Sequence, residues 1–319
     1  MKAITLEQAA NLLFENDNFL VLMHKSPDGD AVGSAYALCM VLRSMGKKAN
    51  PLCGDEIPPM YDYFTRYVEP QDFEPQYIVS VDLASVGLLS GKAKDYADKV
   101  NLCIDHHGSN TGFAEYGYID GKISSCAEII KSLFDVMKID IDKNVANAVF
   151  TGICTDTGCF KYSAVSPQTH RVAADLMEAG AESADICHLM FDSKSRAKLE
   201  LERMVLETLE FSEQGQIAFI CISQEAMEKS GAVQCDTDGI ASIPRQIEGV
   251  KIGITMKEKE GGEFRFSVRT ADDIDASEIC KRFGGGGHKA AAGCSIHKEQ
   301  TAAKEEMLKA CKAALNGAE

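Results

Sequence analysis

The stretch Phe19-Leu20-Val21-Leu22-Met23-His24-Lys25-Ser26-Pro27-Asp28-Gly29-Asp30 decides how the chain is read. An unbroken apolar run that stops at a Pro- and Gly-containing loop describes a short strand buried on both faces. Residues 32–45 then have helical composition, ended by Gly46. The same order recurs downstream. Tyr77-Ile78-Val79-Ser80-Val81 ends at Asp82, and Val100-Asn101-Leu102-Cys103-Ile104 ends at Asp105-His106-His107. Helical patterns near 125–137 and 143–155 follow. Strands separated by helices predict an α/β fold, a parallel sheet with helices on both faces.

Working outward, Thr5 and Gln8 have capping-box spacing at the start of a first helix. Ser166-Pro167 opens another, with the serine as cap and proline in the first turn, and Gly180 closes it. From about Lys194 the pattern changes. Leu201, Met204, Val205, Thr208 and Leu209 line one face of a helix whose other face is charged, read as the connection into a second domain. Strands are expected there near 216–222, 251–257 and 263–270, and helices near 276–282 and 298–315. The boundaries read 1–190, a helical linker 191–210, and a smaller α/β domain 211–319.

The 319 residues are enough for two cores, and the 45% apolar and 25% charged fractions are those of a globular chain. No apolar run approaches the ~20 residues that cross a bilayer. Met1-Lys2-Ala3-Ile4-Thr5 lacks the layout of a signal peptide, so a cytoplasmic location is expected and no membrane partner. The 12 cysteines include no C-x-x-C pair. They read as small buried hydrophobes in a reducing compartment, not as a zinc or iron–sulfur site. A formal net charge of −15 argues against a long nucleic acid, which is gripped through basic surface. Such a chain can still act on a short anionic substrate if metal ions and a few local cations supply positive charge.

Three strand ends therefore carry acid or imidazole: His24, Asp28 and Asp30, then Asp82, then Asp105, His106 and His107. In an open parallel sheet these ends border one crevice. An aspartate after a strand is commonly a helix cap, and Asp30 or Asp105 alone would read so. Repetition at three strand ends favours a metal site. Mixed carboxylate and imidazole donors suit Mn²⁺, Mg²⁺, Fe or Zn²⁺, and two such ions sharing a carboxylate can activate water and stabilise charge at phosphorus. Gly29 is expected to let the loop turn sharply between the two aspartates. Thr151-Gly152-Ile153-Cys154-Thr155-Asp156-Thr157-Gly158 adds a fourth, weaker element around Asp156. In the second domain, Gly284-Gly285-Gly286-Gly287-His288-Lys289 can offer backbone N–H groups to an anion, with a helix through Ala290–Ala292 starting at it. Ser267 and Arg269 share one strand face. Arg245 is a further candidate there, while His170, His188 and His297 read as structural or surface.

In this order the motifs resemble the DHH phosphoesterase family: His24…Asp28-Gly29-Asp30, Val81-Asp82, Asp105-His106-His107 and Thr155-Asp156, followed by the glycine run of a DHH-associated domain. The resemblance spans nearly the whole chain and is strongest to the nanoRNase and pAp phosphatase group. It implies a pair of Mn²⁺ ions, with Mg²⁺ or Co²⁺ as substitutes. His24 and Asp28 would hold one, Asp30, His106 and Asp156 the other, and Asp82 would bridge both. It implies Asp105 as an orienting carboxylate and His107 as proton donor or hydrogen-bond partner to the leaving oxygen. Arg269, Gly285, Gly286, Gly287 and His288 would bind substrate phosphate, with the active site in a cleft between the domains. The implied reaction is hydrolysis of short oligoribonucleotides (nanoRNA) or of 3′-phosphoadenosine-5′-phosphate (pAp), and a homodimer is compatible with it. The alternatives are cyclic or linear dinucleotide hydrolysis, pyrophosphate hydrolysis, long-strand exonuclease activity, and a non-catalytic nucleotide-binding module.

Overall fold

Fully buried apolar strands can be satisfied only by neighbours on both edges and cover on both faces. In the computed structural model, which describes residues 1–237, 239–259, 261–271 and 273–317, this requirement builds the first of two compact units, Met1–Ser193. Its strands are β1 (Lys2–Ala3), β2 (Phe19–Leu22), β3 (Ala49–Leu52), β4 (Tyr77–Val81), β5 (Leu102–Asp105) and β6 (Tyr116–Ile119). They lie in the order β1-β6-β5-β4-β2-β3, every pair parallel. The helices are α1 (Leu6–Glu15), α2 (Gly29–Ser44), α3 (Asp62–Thr65), α4 (Cys126–Met137), α5 (Lys143–Asp156), α6 (Pro167–Glu178) and α7 (Ser183–Cys187).

Alternation along β2 explains the layering. Phe19 and Val21 face the core shared with α1, α2, α4 and α5, whereas Leu20 and Leu22 face a second core with Ile78, Leu89 and Ala93. The first face is covered by the α-helices, and the second is closed by short 3₁₀ turns at Val86–Leu88 and Gly91–Tyr96. The strand order reverses between β2 and β4: β3 lies to one side of β2, and β4, β5 and β6 to the other. A crevice opens at such a switch point, at the carboxyl ends of the strands. Helix α1 begins at the Thr5–Gln8 capping box, and α6 at Ser166 with Pro167 in its first turn.

The second unit, Lys194–Glu319, is built on a mixed sheet. Its elements are α8 (Arg196–Leu206), β7 (Glu210–Ser212), β8 (Ile217–Ile222), α9 (Gln224–Ser230), β9 (Ile252–Glu258), β10 (Phe264–Thr270), α10 (Ala276–Lys281), β11 (Gly286–His288), β12 (Ala291–Ile296) and α11 (Gln300–Leu315). The strand order is β11-β12-β10-β9-β8-β7, with only β8 and β9 parallel. One face packs on α10 and α11 through Phe266, Val268, Ile279 and Met307. On the other, Ile220 and Ile222 meet Leu201 and Val205 of α8. Helix α8 is thus a packed layer of this unit, where the sequence suggested a connecting segment.

Candidate metal centre

The β2 loop delivers His24 and then starts α2 earlier than composition suggests. Asp28 is the helix N-cap: its Oδ1 accepts from the backbone N–H of Asp30 and of Ala31, each at 3.1 Å. The cap reading considered for Asp30 or Asp105 therefore belongs to Asp28. Gly29 does not serve a sharp turn. It lies in the first turn of α2, where a Cβ would sit 2.4 Å from Thr155 Oγ1. Its small size lets α2 approach the end of α5, which carries Asp156.

Asp30, 1% exposed, meets the start of α4. Its Oδ2 accepts from Cys126 N at 2.6 Å, and its Oδ1 accepts from Ala127 N at 2.8 Å and from Ser34 Oγ at 3.3 Å. Three donors hold the carboxylate in one orientation at a helix N-terminus, where negative charge is favoured. Burial nevertheless raises its pKa well above the usual range, and the charges of Asp82 and Asp156 add to this.

Asp82 follows β4 in a left-handed conformation, φ 51°, with its N–H donated to Ile104 O at 3.1 Å. Positive φ in a residue other than glycine is costly and gathers at functional sites. Here it turns a buried carboxylate toward both imidazoles. Asp82 Oδ2 lies 3.6 Å from His24 Nε2 and Oδ1 lies 3.4 Å from His106 Nε2. Burial opposes ionisation of Asp82, but the adjacent imidazoles of His106 and His24 outweigh this and hold its pKa well below normal.

Both rings are set by the same device. His24 Nδ1 pairs with Lys25 O at 2.8 Å and His106 Nδ1 with Ile123 O at 3.3 Å, so each Nδ1 donates and each Nε2 faces the acids. His106 Nε2 is 3.5 Å from Asp156 Oδ2 and 3.8 Å from Asp30 Oδ2, and His24 Nε2 is 3.7 Å from Asp28 Oδ1. Burial disfavours the charged rings, yet the neighbouring carboxylates push His24 up to about 11 and His106 up to about 10. Asp156 is pushed up to about 6 by burial, with His106 opposing and Asp82 reinforcing.

Three overlapping groups of donor atoms emerge, His24–Asp28–Asp82, Asp30–His106–Asp156 and Asp82–His106–His107, each within 4.8 Å. Metal ions fit this arrangement. Asp82 Oδ1 is buried without a hydrogen-bond donor, and four carboxylates crowd one basin that two divalent cations would neutralise.

Asp105 is fully buried and stands behind the basin. Its Oδ1 accepts from His107 Nδ1 at 2.8 Å and from His106 N at 2.9 Å, and its Oδ2 accepts from Asn110 Nδ2 at 2.7 Å. It orients His107 through the ring and His106 only through the backbone. The Asp105 bond raises the His107 pKa, with burial opposing. Asn110 and the α4 N-terminus are contributors that sequence reading missed. Asn110 follows Asp105 by only five positions, but an asparagine in a polar loop carries no distinguishing signal.

In the second unit, the expected helix at Ala290–Ala292 is corrected: Ala291 and Ala292 begin strand β12. Register places Gly286 opposite Gly293, Gly287 opposite Ala292, and His288 opposite Ala291, which in turn faces Arg269 on β10. His288 and Arg269 thus share a sheet face on either side of the small Ala291, with Ser267 on the same face. Gly287 has φ 149°, and a Cβ on Gly285 would lie 2.2 Å from Gly293 O. Thr270 N and Oγ1 donate to Ala290 O at 3.0 Å and Lys289 O at 3.1 Å, pinning the hairpin turn. The Arg245 turn packs over Gly253, the β9 partner of Arg269, and Arg245 Nε is buried with no hydrogen-bond partner. His170 stacks on Phe160, a packing role.

Comparison with known proteins matches both units of the chain. Residues 18–153 match the DHH family, N-terminal domain, and residues 216–317 match the DHHA1 domain. A bifunctional oligoribonuclease and PAP phosphatase NrnA from Thermus thermophilus is 30% identical, over 86% of this chain and 83% of its own length. The protein of that name from Bacillus subtilis is 23% identical, over 88% and 90%. An exopolyphosphatase-related protein from Bacteroides fragilis, 24% identical, superposes with a TM-score of 0.86 over 98% of this chain and 96% of its own. With a relative at that identity along most of both chains and both domains matched in order, the chain belongs to the DHH family of metal-dependent phosphoesterases.

Proposed function

We propose that the centre holds two Mn²⁺ ions and hydrolyses phosphoesters of short oligoribonucleotides and of pAp, the activities named in the chain's relatives. The observation that carries the reading is the placement of Asp82: its buried Oδ1, which has no hydrogen-bond donor, lies 3.4 Å from His106 Nε2, and its Oδ2 lies 3.6 Å from His24 Nε2. One carboxylate so placed can serve both ions. His24 and Asp28 would complete one coordination set, and Asp30, His106 and Asp156 the other. Six oxygen and imidazole donors without sulfur suit Mn²⁺ over thiophilic ions. When bound, such a pair supplies Lewis-acid charge at phosphorus and acidifies water.

The remaining groups divide the work of holding and protonating. Asp105 fixes the His107 ring and favours its protonated form, so His107 can donate from Nε2 to the leaving oxygen. The α4 N-terminus keeps Asp30 in place as charge develops nearby. Arg269, His288 and the backbone of Gly285–Gly287 would bind substrate phosphate, arginine through its planar fork. Among the described residues no helix is long and apolar enough to cross a membrane, and the many free, buried thiols fit the reducing cytoplasm.

The test is turnover of a dinucleotide, a pentamer, a long single strand, pAp, a cyclic dinucleotide and pyrophosphate, each with Mn²⁺ and with Mg²⁺. Fastest hydrolysis of dinucleotide and pAp with Mn²⁺ is expected. Preference for the long strand or for pyrophosphate would overturn the substrate reading, and equal rates with Mg²⁺ would overturn the metal.

A further inference from the structure

Cys154 and Cys159 are five residues apart and Cys187 lies 28 beyond Cys159, yet the three sulfurs form one group within 4.8 Å. Cys187 Sγ lies 3.6 Å from Cys154 Sγ and 3.6 Å from Cys159 Sγ. Cys154 is buried in the last turn of α5, two residues before Asp156, and the other two are half-buried. The hydrolytic centre uses none of them.

The backbone is bent to bring them together. After Asp156 the chain runs through three successive left-handed residues, Gly158 (φ 56°), Cys159 (φ 58°) and Phe160 (φ 61°). Two of these are not glycine, and such conformations persist only where surroundings impose them. Cys159 N donates to Cys154 O at 2.8 Å, and Phe160 N donates to Thr157 Oγ1 at 3.0 Å, closing the turn. On the other side, Cys187 ends α7 where the helix widens into a π-turn, His188–Asp192. Single π-turns are rare and concentrate at functional sites. Two uncommon backbone features, in separate segments, thus converge on three sulfurs.

The spacing has chemical meaning. Thiolates bound to a common ion at ~2.3 Å lie about 3.8 Å apart at tetrahedral angles, and slightly farther apart in a trigonal plane. A disulfide would need ~2.05 Å. The geometry points to a site for one thiophilic closed-shell cation, Cu(I) or Zn(II), held by Cys154, Cys159 and Cys187. The group contains no histidine, aspartate or glutamate, so Cu(I) would sit in a three-sulfur plane and Zn(II) would complete its shell with water. Each thiol that joins releases its proton to solvent as its metal–sulfur bond forms. The bound ion would tie the 157–160 turn to α7 and so stiffen the segment that ends in Asp156. The site stands on the thiols alone and does not require the hydrolytic reading.

The test uses the full chain, reduced and anaerobic, offered Cu(I) or Zn(II) against a competing chelator, with bound ion measured by elemental mass spectrometry. One equivalent of Cu(I), which oxygen-rich donors do not favour, should be retained by the wild type and by Asp82→Ala, and one equivalent of Zn(II) should remain in Asp82→Ala, whose acidic centre no longer holds an ion. Retention should weaken at least about 100-fold in Cys159→Ser and in Cys187→Ser, the scale on which loss of a metal's supporting ligand acts. The ion should also raise the melting temperature of the wild type but of neither serine variant. Retention of neither ion by the wild type would overturn the assignment, as would equal retention by the wild type and both serine variants. Loss of retention in Asp82→Ala would place the ion at the acidic centre and overturn it too.

Discussion

The acidic basin of the first unit and the polar sheet face of the second, the two regions proposed to meet substrate, place polar groups under opposite conditions. In the basin, charge is buried, so every oxygen must be accounted for. Both oxygens of Asp30 and both of Asp105 have named donors, whereas the buried Oδ1 of Asp82 has none and lies 3.4 Å from His106 Nε2 and 3.5 Å from His107 Nδ1. On the β10–β12–β11 face, little is buried. His288 is exposed, and the glycines are required because strand backbones run close together. Residue identity is set by charge solvation in the first region and by steric room in the second. Substitutions should therefore damage different observables.

The sharpest break is Asp82→Ala. Removing the carboxylate between the two donor groups should abolish retention of both ions and lower turnover by roughly 10²–10³-fold or more, the scale of losing a charge partner at a reaction centre. Bound Mn²⁺ per chain and kcat check it, with circular dichroism confirming the fold. Unchanged kcat would remove Asp82 from the centre. Next comes Arg269→Ala on the second unit. A charge-assisted hydrogen bond to phosphate contributes about 1.5–3 kcal/mol, so KM for pAp should rise roughly 10- to 100-fold with kcat little altered. A fall in kcat at constant KM would contradict a binding role.

Asp105→Asn probes orientation within the buried region. The Asp105 carboxylate raises the His107 pKa, so the ring's acid form persists to higher pH than in a free imidazole. If His107 donates a proton, kcat at saturating Mn²⁺ falls as pH rises through that raised pKa. Asparagine removes the charge and lowers the pKa, so the falling limb should move to lower pH. The accompanying loss below the limb should be ~10-fold, the lower range for a supporting carboxylate. A limb that stays in place would show that another group titrates.

Much of the basin was legible because strand ends in a parallel sheet converge by topology. His24, Asp82 and Asp105 each follow a buried strand, and the β2–β4 reversal puts them at one crevice. What the sequence concealed were dependencies on distant backbone. Asp30 takes its donors from Cys126 and Ala127, 96 and 97 positions away, and no residue type marks a backbone N–H. Edge strands β1 and β3, and β6 beside β1, escaped notice because they are short and not fully buried. The alanines after His288 favour helix intrinsically, but pairing with β10 and β11 outweighs propensities of tenths of a kcal/mol. The cysteine group was invisible for the same reason as the Asp30 donors: Cys187 lies 28 residues beyond Cys159.

The smallest expected effect separates steric from chemical demands inside one glycine run. A Cβ on Gly285 would meet Gly293 O at 2.2 Å and Cys294 Cβ at 2.5 Å, whereas one on Gly286 meets nothing within 4 Å. Gly285→Ala must push β12 aside and should cost about 1–3 kcal/mol, as overpacking does. Gly286→Ala should stay within about 0.5 kcal/mol, as at an open surface position. Denaturant midpoints measure both. If Gly286→Ala is as stable as wild type but KM for pAp rises, the hairpin backbone approaches the phosphate closely enough to exclude a methyl group. If both stability and KM are unchanged, Gly286 has no part in phosphate binding, and Arg269 and His288 carry the anion on this face.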